Sequence, residues 1–290
     1  MNSETEVGIV EMGANHAKEI SLLCSIAKPS VGYITNFGKA HLEGFGSEQG
    51  VVLAKSELYD YLKEHNGWII MNSDDVKQEN QVGRYSNTFS FSQSKQASIN
   101  IKLLKSQPFL NVATLGTTIK THLVGVYNFH NIAAALAIGS YFNLTCNQLK
   151  SGLEAYVPSN NRSQIINQNS NDILLDAYNA NPSSMEVALQ NFNEIQNSNK
   201  LAIIGDMFEL GATGTKEHLE VVNKAVLFKG CTFYFVGSNF FDQKIAHSTF
   251  LFFETFKELQ SHLEEITISN TSILIKGSRG MALERVLELI

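Results

Sequence analysis

The chain has no surplus of positive charge, few cysteines and no long apolar run, and each shortage closes off a class of function. Its 22 Lys and Arg against 28 Asp and Glu give a net charge of -6, with a pI near 5.8. It therefore lacks the clustered cations that displace counterions from a nucleic-acid backbone, and no nucleic-acid partner is expected. The three cysteines, Cys24, Cys146 and Cys231, are far apart with no CxxC spacing. They suggest neither a disulfide framework nor a zinc knuckle, and they suit a reducing cytoplasm. No apolar stretch reaches the roughly 18 residues of a membrane span. The N-terminus, MNSETEVGIVEMG, lacks the basic-then-apolar order of a secretory signal. Internal repeats and low-complexity tracts are also absent.

What is present is a chain of 290 residues, 43% hydrophobic and 17% charged. That is the composition of a soluble globular protein long enough for two domains, each with its own core. An apolar run at Glu6–Met12, a helix ending near Pro29 and a second run from Val31 predict a βαβ unit and a parallel sheet. A helix from about Ser47 to Leu62 and a strand at Trp68–Asn72 follow. Short β-prone runs between Thr88 and Val124, with no convincing helix between them, read as an antiparallel excursion. Two helices follow, and turn residues at Pro158-Ser159-Asn160-Asn161 place a domain boundary after residue 157. Beyond it, strands and helices alternate to the C-terminus as in a small Rossmann-like domain, ending in a helix from Met281. The fold class is α/β throughout.

Several polar residues stand where such folds bind ligands, at the carboxyl ends of strands. Glu11 ends the first run, and a carboxylate there suits Mg²⁺, though a solvated strand end is the commoner outcome. His41 lies in the glycine-punctuated loop TNFGKAHLEGFG. Lys55 sits inside an apolar helical stripe with Val51, Leu58, Tyr59 and Leu62, where an ammonium is costly. It could snorkel to water, or take up CO₂ and become an anionic carbamate. Asn128 and Asn131 open a helix three residues apart, and their paired donors and acceptors complement an adenine edge, while capping explains Asn128 equally well. In DAYNANPSSMEVAL, Asn181 and Pro182 read as a helix start, which leaves Asp176 and Asn179 unexplained. In KGSRGM, Lys276, Ser278 and Arg279 follow a buried strand, and a structural turn would not need both cations.

Together these blocks resemble the Mur ligase family. The resemblance rests on VEMGANHAKEI, ITNFGKAHLEGFGSEQGVVLAKSEL, the NFHN-IAAALA stretch, NNRSQ, DAYNANPSSMEVAL, IIGDMFELG with Glu217-His218, and KGSRGMALERVLE, which run nearly end to end. It implies a partial central ATP-binding domain at 1–157, followed by a Rossmann-like C-terminal domain at 158–290. It also implies a cytoplasmic, ATP- and Mg²⁺-dependent amide ligase of peptidoglycan precursor synthesis, expected to be a monomer. The EMGANH, NANPSSM and KGSRGM forms point to the reaction that joins D-alanyl-D-alanine to a UDP-N-acetylmuramoyl-tripeptide. By resemblance, Glu11, His41 and a carbamylated Lys55 form the metal site, His41 and Lys55 serving catalysis as well. Asn128, Asn131, Arg162 and Asp176 hold the nucleotide, and Asn179, Asn181, Lys276, Ser278 and Arg279 receive the dipeptide.

The sequence departs from the family pattern in having no GxxxxGK[ST] phosphate loop and no UDP-sugar-binding domain before it. A fragment of a longer ligase is therefore expected, or else a natural truncation that has lost catalysis. Turnover by the chain alone is not expected. The alternatives are another Mur-type or folylpolyglutamate-type ligase, or a module that binds nucleotide or dipeptide without chemistry.

Overall fold

Apolar runs and helical stripes alternate along the chain, and the computed structural model, which describes residues 2, 4–38 and 42–290, assembles most of the runs into parallel sheets. The chain divides into two compact units. One comprises Met1–Lys102, Thr114–Thr117 and His130–Leu149, the other Leu103–Ala113, Thr118–Phe129 and Lys150–Ile290.

The first unit contains α1 (Glu19–Ala27), β1 (Val31–Tyr33), α2 (Leu42–Phe45), α3 (Glu48–Glu64), β2 (Trp68–Asn72), α4 (Val76–Val82), β3 (Thr88–Ser92) and β4 (Ile99–Asn100). Its four strands lie in the order β1-β2-β3-β4, every pair parallel. Ser47 starts α3 by accepting a hydrogen bond from the Gly50 N–H at 3.0 Å, which satisfies one of the donors a helix start leaves open. The buried face of α3, including Val52, Tyr59 and Leu62, packs with Ile69 and Met71 of β2. Each such side chain contributes about 1.5–3 kcal/mol on burial.

Two expectations fail in this unit. Residues 6–12 form no strand: they are unpaired, and Val7, Ile9 and Val10 are 52%, 91% and 55% exposed. An apolar run becomes a strand only when a neighbouring strand pairs with it, and among the described residues β1 pairs with β2 alone. The antiparallel excursion also begins later than expected, because β3 and β4 extend the parallel sheet. The crossover that permits this is α4, a short polar helix capped by Asp75. With only seven residues it offers too little periodicity to be recognised.

The excursion itself is the three-stranded sheet of β5 (Lys102–Lys105), β6 (Asn111–Thr114) and β7 (Thr117–Lys120). Leu115 and Gly116 join β6 to β7, both at positive φ, which is the tight hairpin turn that matches strand twist. Helices α5 (Asn128–Tyr141) and α6 (Cys146–Ala155) follow.

The remaining elements are β8 (Gln164–Gln168), β9 (Asn171–Asp176), α7 (Pro182–Asn193), β10 (Lys200–Gly205), α8 (Gly214–Ala225), β11 (Cys231–Val236), α9 (Ser238–Phe241), β12 (Phe250–Phe253), α10 (Phe256–Glu264) and β13 (Ser272–Lys276). Six strands form one sheet in the order β12-β11-β10-β13-β9-β8, parallel except for the antiparallel β8. Side chains alternate across it. Ala202, Ile204, Phe233 and Phe235 face α7 and α8, while Leu201, Ile203, Tyr234 and Val236 face α10 and the C-terminal segment. That segment is 3₁₀ rather than the expected α-helix, with a break at Ala282, whose φ is +48°.

Candidate functional site

The parallel register of β9 and β13 sets Asp176 opposite Lys276 at the carboxyl ends of two central strands. The Lys276 ammonium donates to Asp176 Oδ2 at 2.6 Å and to the Asn179 carbonyl at 3.3 Å. Lys276 is 2% exposed and Asp176 14%, counted on their side chains. Two charges this deep persist only as a mutually hydrogen-bonded pair, and removing either leaves the other stranded. The pair therefore anchors the floor of the candidate site.

Three loops converge on it. After β9, the Asn179 side chain accepts from the Ala180 N–H at 2.8 Å. Asn181 caps α7, accepting from the Ser184 N–H at 2.9 Å, and Ser184 accepts in return from the Asn181 N–H at 3.1 Å. Pro182 occupies the first helical position. The Asn181 side chain is thus committed to its helix. After β13, Ser278 is 3% exposed. Its hydroxyl accepts from the Phe208 N–H at 2.8 Å and donates to the Ala180 carbonyl at 3.4 Å. Ser278 ties the three loops together from below. Arg279 is exposed and pairs with Glu284 at 3.1 Å. The two strand-end loops lie close because Gly277 and Gly205 meet: a Cβ on Gly277 would stand 3.1 Å from the Gly205 Cα.

The third loop, after β10, is held by a pair the sequence did not mark as functional. Buried Asp206 accepts from the Asn239 and Phe240 N–H groups, each at 3.0 Å. Buried His218 accepts from the Met207 N–H at Nε2, at 3.0 Å, so its Nδ1 donates to the Gly214 carbonyl at 2.7 Å. The block containing Glu217-His218 was legible, but the partner of His218 was not.

On the other side of Asp176, its Oδ1 accepts from the Ser163 N–H at 3.1 Å. Arg162 is exposed, with its guanidinium 3.8 Å from the Tyr178 ring centroid. Tyr178 is 41% exposed, so the stack offers a planar, cationic surface beside the carboxylate. Tyr178 lies within DAYNAN, yet nothing in the motif singles it out. Asn128, at the start of α5, is 6% exposed and donates to the Val124 carbonyl at 2.8 Å and to Ser163 Oγ at 3.2 Å. Asn131, one turn along, is exposed.

The expected metal residues belong to the other unit. Glu11 is exposed on the unpaired segment, and His41 lies outside the described residues. Lys55 is partly buried on α3 and donates to the Asn36 carbonyl at 2.8 Å. Burial lowers its ammonium from the ordinary 10.5, which favours the neutral amine that reacts with CO₂. The donor chemistry of a carbamate and a carboxylate suits Mg²⁺. Among the described residues no three His, Cys, Asp or Glu side chains gather as a ligand set.

Comparison with known proteins bears on the family and the fold. The family model of the Mur ligase middle domain matches residues 1–139, and that of the Mur ligase, glutamate ligase domain matches residues 161–279. The UDP-N-acetylmuramoyl-tripeptide--D-alanyl-D-alanine ligase of Rickettsia prowazekii is 30% identical over 99% of the chain, and that of Escherichia coli is 33% identical over all of it. The chain spans 67% and 66% of those two proteins, about two thirds of their length. Among solved structures, MurF from Acinetobacter baumannii superposes with a TM-score of 0.78 at 25% identity, covering 95% of this chain and 62% of that one. The Thermotoga maritima MurF ligase in complex with ADP gives 0.81 at 24% identity, covering 96% and 65%.

Proposed function

Because the chain belongs to the Mur ligase family, we propose that it carries the nucleotide-ribose and acceptor-binding portion of a ligase that joins D-alanyl-D-alanine to a UDP-N-acetylmuramoyl-tripeptide. The observation that carries this reading is the Asp176–Lys276 pair at the junction of two strand ends, with Asn179 and Arg279 around it. In the proposed reaction ATP phosphorylates the terminal carboxylate of the tripeptide. The dipeptide amine then attacks the acyl phosphate, and the tetrahedral intermediate expels phosphate to leave an amide. Asp176, the Arg162–Tyr178 stack and Asn128 receive the ribose and base, while Lys276 and Arg279 face the dipeptide carboxylate; Asn131, in the other unit, is proposed separately as an adenine contact. Asn179 lines that acceptor side. Asn181 and Ser278 serve it indirectly, by fixing the loops.

Glu11, His41 and a carbamylated Lys55 would hold Mg²⁺, which offsets phosphate charge when bound. The proposed domains, 1–157 and 158–290, meet between the two family matches. A nucleotide-linked substrate places the enzyme in the cytoplasm. Among the described residues no helix is long and apolar enough to cross a membrane.

Calorimetric titration with D-alanyl-D-alanine tests the acceptor site. Saturable binding that is lost in Arg279→Ala is expected, and absence of binding by the unsubstituted chain would refute the assignment. For Lys55, ¹³C-bicarbonate should give a carbamate carbonyl resonance that disappears in Lys55→Arg; an unchanged resonance in that variant would remove Lys55 from the role.

A further inference from the structure

Ser163 lies in the NNRSQ block with no role implied for it, yet its side chain and backbone are tied to both sides of the candidate site. It is 4% exposed and holds φ at +50°, a left-handed conformation that is uncommon and costly for a residue with a Cβ. Its hydroxyl accepts from the Asn128 side-chain amide at 3.2 Å and shares a short hydrogen bond with the Tyr127 hydroxyl. Its backbone N–H donates to Asp176 Oδ1 at 3.1 Å. The other Asp176 oxygen accepts from Lys276, which reaches on to the Asn179 carbonyl.

A chain of hydrogen bonds thus runs from the start of α5 to the end of β13, and Ser163 joins Asn128 to Asp176 within it. The Tyr127 hydroxyl is pushed up chiefly by burial and further by the Asp176 carboxylate.

We propose that Ser163 is a positioning residue that couples the nucleotide side of the site, at Asn128, to the acceptor side, at Lys276. This rests on the assignment of those two sides given above. A dipeptide group that engages Lys276 on the acceptor side changes what the Asp176 carboxylate must share with the Ser163 N–H. In a low-dielectric setting such charge-assisted bonds are strong enough for that change to be felt along the chain. Ser163 passes it on through its hydroxyl to Asn128 and Tyr127. Occupancy at one end then alters affinity at the other, reciprocally and by about five-fold or more. The strained φ serves this role, because a residue held by its partners shifts when one partner is taken away.

Ser163→Gly cuts the link selectively. Glycine accepts the positive φ without strain and keeps the N–H to Asp176, while the hydroxyl is lost. The first measurement needs no ligand: NMR of the Asn128 side-chain amide and the Tyr127 ring in the unsubstituted chain, Asp176→Asn, Ser163→Gly and the double variant. Asp176→Asn should displace both signals, and in the Ser163→Gly background the displacement should fall by more than half. Equal displacement in both backgrounds, or none in either, overturns the proposal. Should Asp176→Asn not fold, Lys276→Gln provides the perturbation from the same end.

The second measurement is ADP affinity with and without D-alanyl-D-alanine. The dipeptide should change ADP affinity about five-fold or more in the unsubstituted chain. In Ser163→Gly that difference should vanish while each ligand alone binds within about two-fold of its original affinity. A purely structural role would weaken both ligands and leave their mutual effect intact. If the unsubstituted chain binds neither ligand, the ligase reading fails and the ligand-free comparison alone decides the coupling.

Discussion

At the scale of single residues, burial decides which charges matter. Lys276 and Arg279 lie three positions apart in one motif, yet Lys276 is 2% exposed and Arg279 61%. Lys276→Met strands a carboxylate and should cost about 3–5 kcal/mol in urea unfolding, whereas Arg279→Ala should stay within about 0.5 kcal/mol. The sequence identified both as cations worth noting and had no means of separating them, because their difference is one of depth. Lys55 supplies a pH signature. Burial lowers its ammonium below 10.5, so the unfolded chain binds that proton more tightly than the folded one. Stability from this group therefore rises as pH climbs from the lowered value towards 10.5, and the gain is absent below that window. Lys55→Met should flatten this rise when urea midpoints are compared between pH 8 and pH 10.5. The apolar stripe around Lys55 was legible from helical spacing, and Val51, Tyr59 and Leu62 are indeed buried.

At the scale of elements, starts and stops carry local signals that sequence reasoning reads well. Asn181 and Pro182 marked the start of α7, and the reciprocal Asn181–Ser184 cap bears that out. Asn181→Ala should cost about 1 kcal/mol in a thermal melt, with Asn181→Asp close to neutral. Gly237, between β11 and α9, carried no such signal. Its φ is +118°, and a Cβ there would lie 2.3 Å from the Asp206 carboxyl carbon. Gly237→Ala should therefore cost more than about 2 kcal/mol and disturb the Asp206 contacts with Asn239 and Phe240. The elements that went unforeseen share a cause. Helix α4 is too short to show a period, and β8 turns into β9 through Asn169 and Ser170, both at positive φ, without glycine or proline to announce the turn. Residues 6–12 had the composition of a strand and lacked a pairing partner, which no local pattern reveals.

At the scale of the whole molecule, ligand contact should be confined to one end of the six-stranded sheet. Hydrogen exchange with D-alanyl-D-alanine present should slow at 176–181 and 276–281 and leave the amides of 168–172, at the opposite strand ends, unchanged; protection spread over both ends of the sheet would contradict a strand-end site. The sequence by itself determined the α/β class, the family and most of the residues proposed for the site. Alternating apolar periods and dense polar motifs are local in the chain, and local patterns survive without coordinates. Only the tertiary structure decided that Asp176 and Lys276, 100 positions apart, form one buried pair, that Ser278 binds loops together rather than facing solvent, and that Ser163 joins Asn128 to Asp176. Those outcomes depend on strand order and register, which bring distant segments to one edge and set which polar groups have lost water and must find each other.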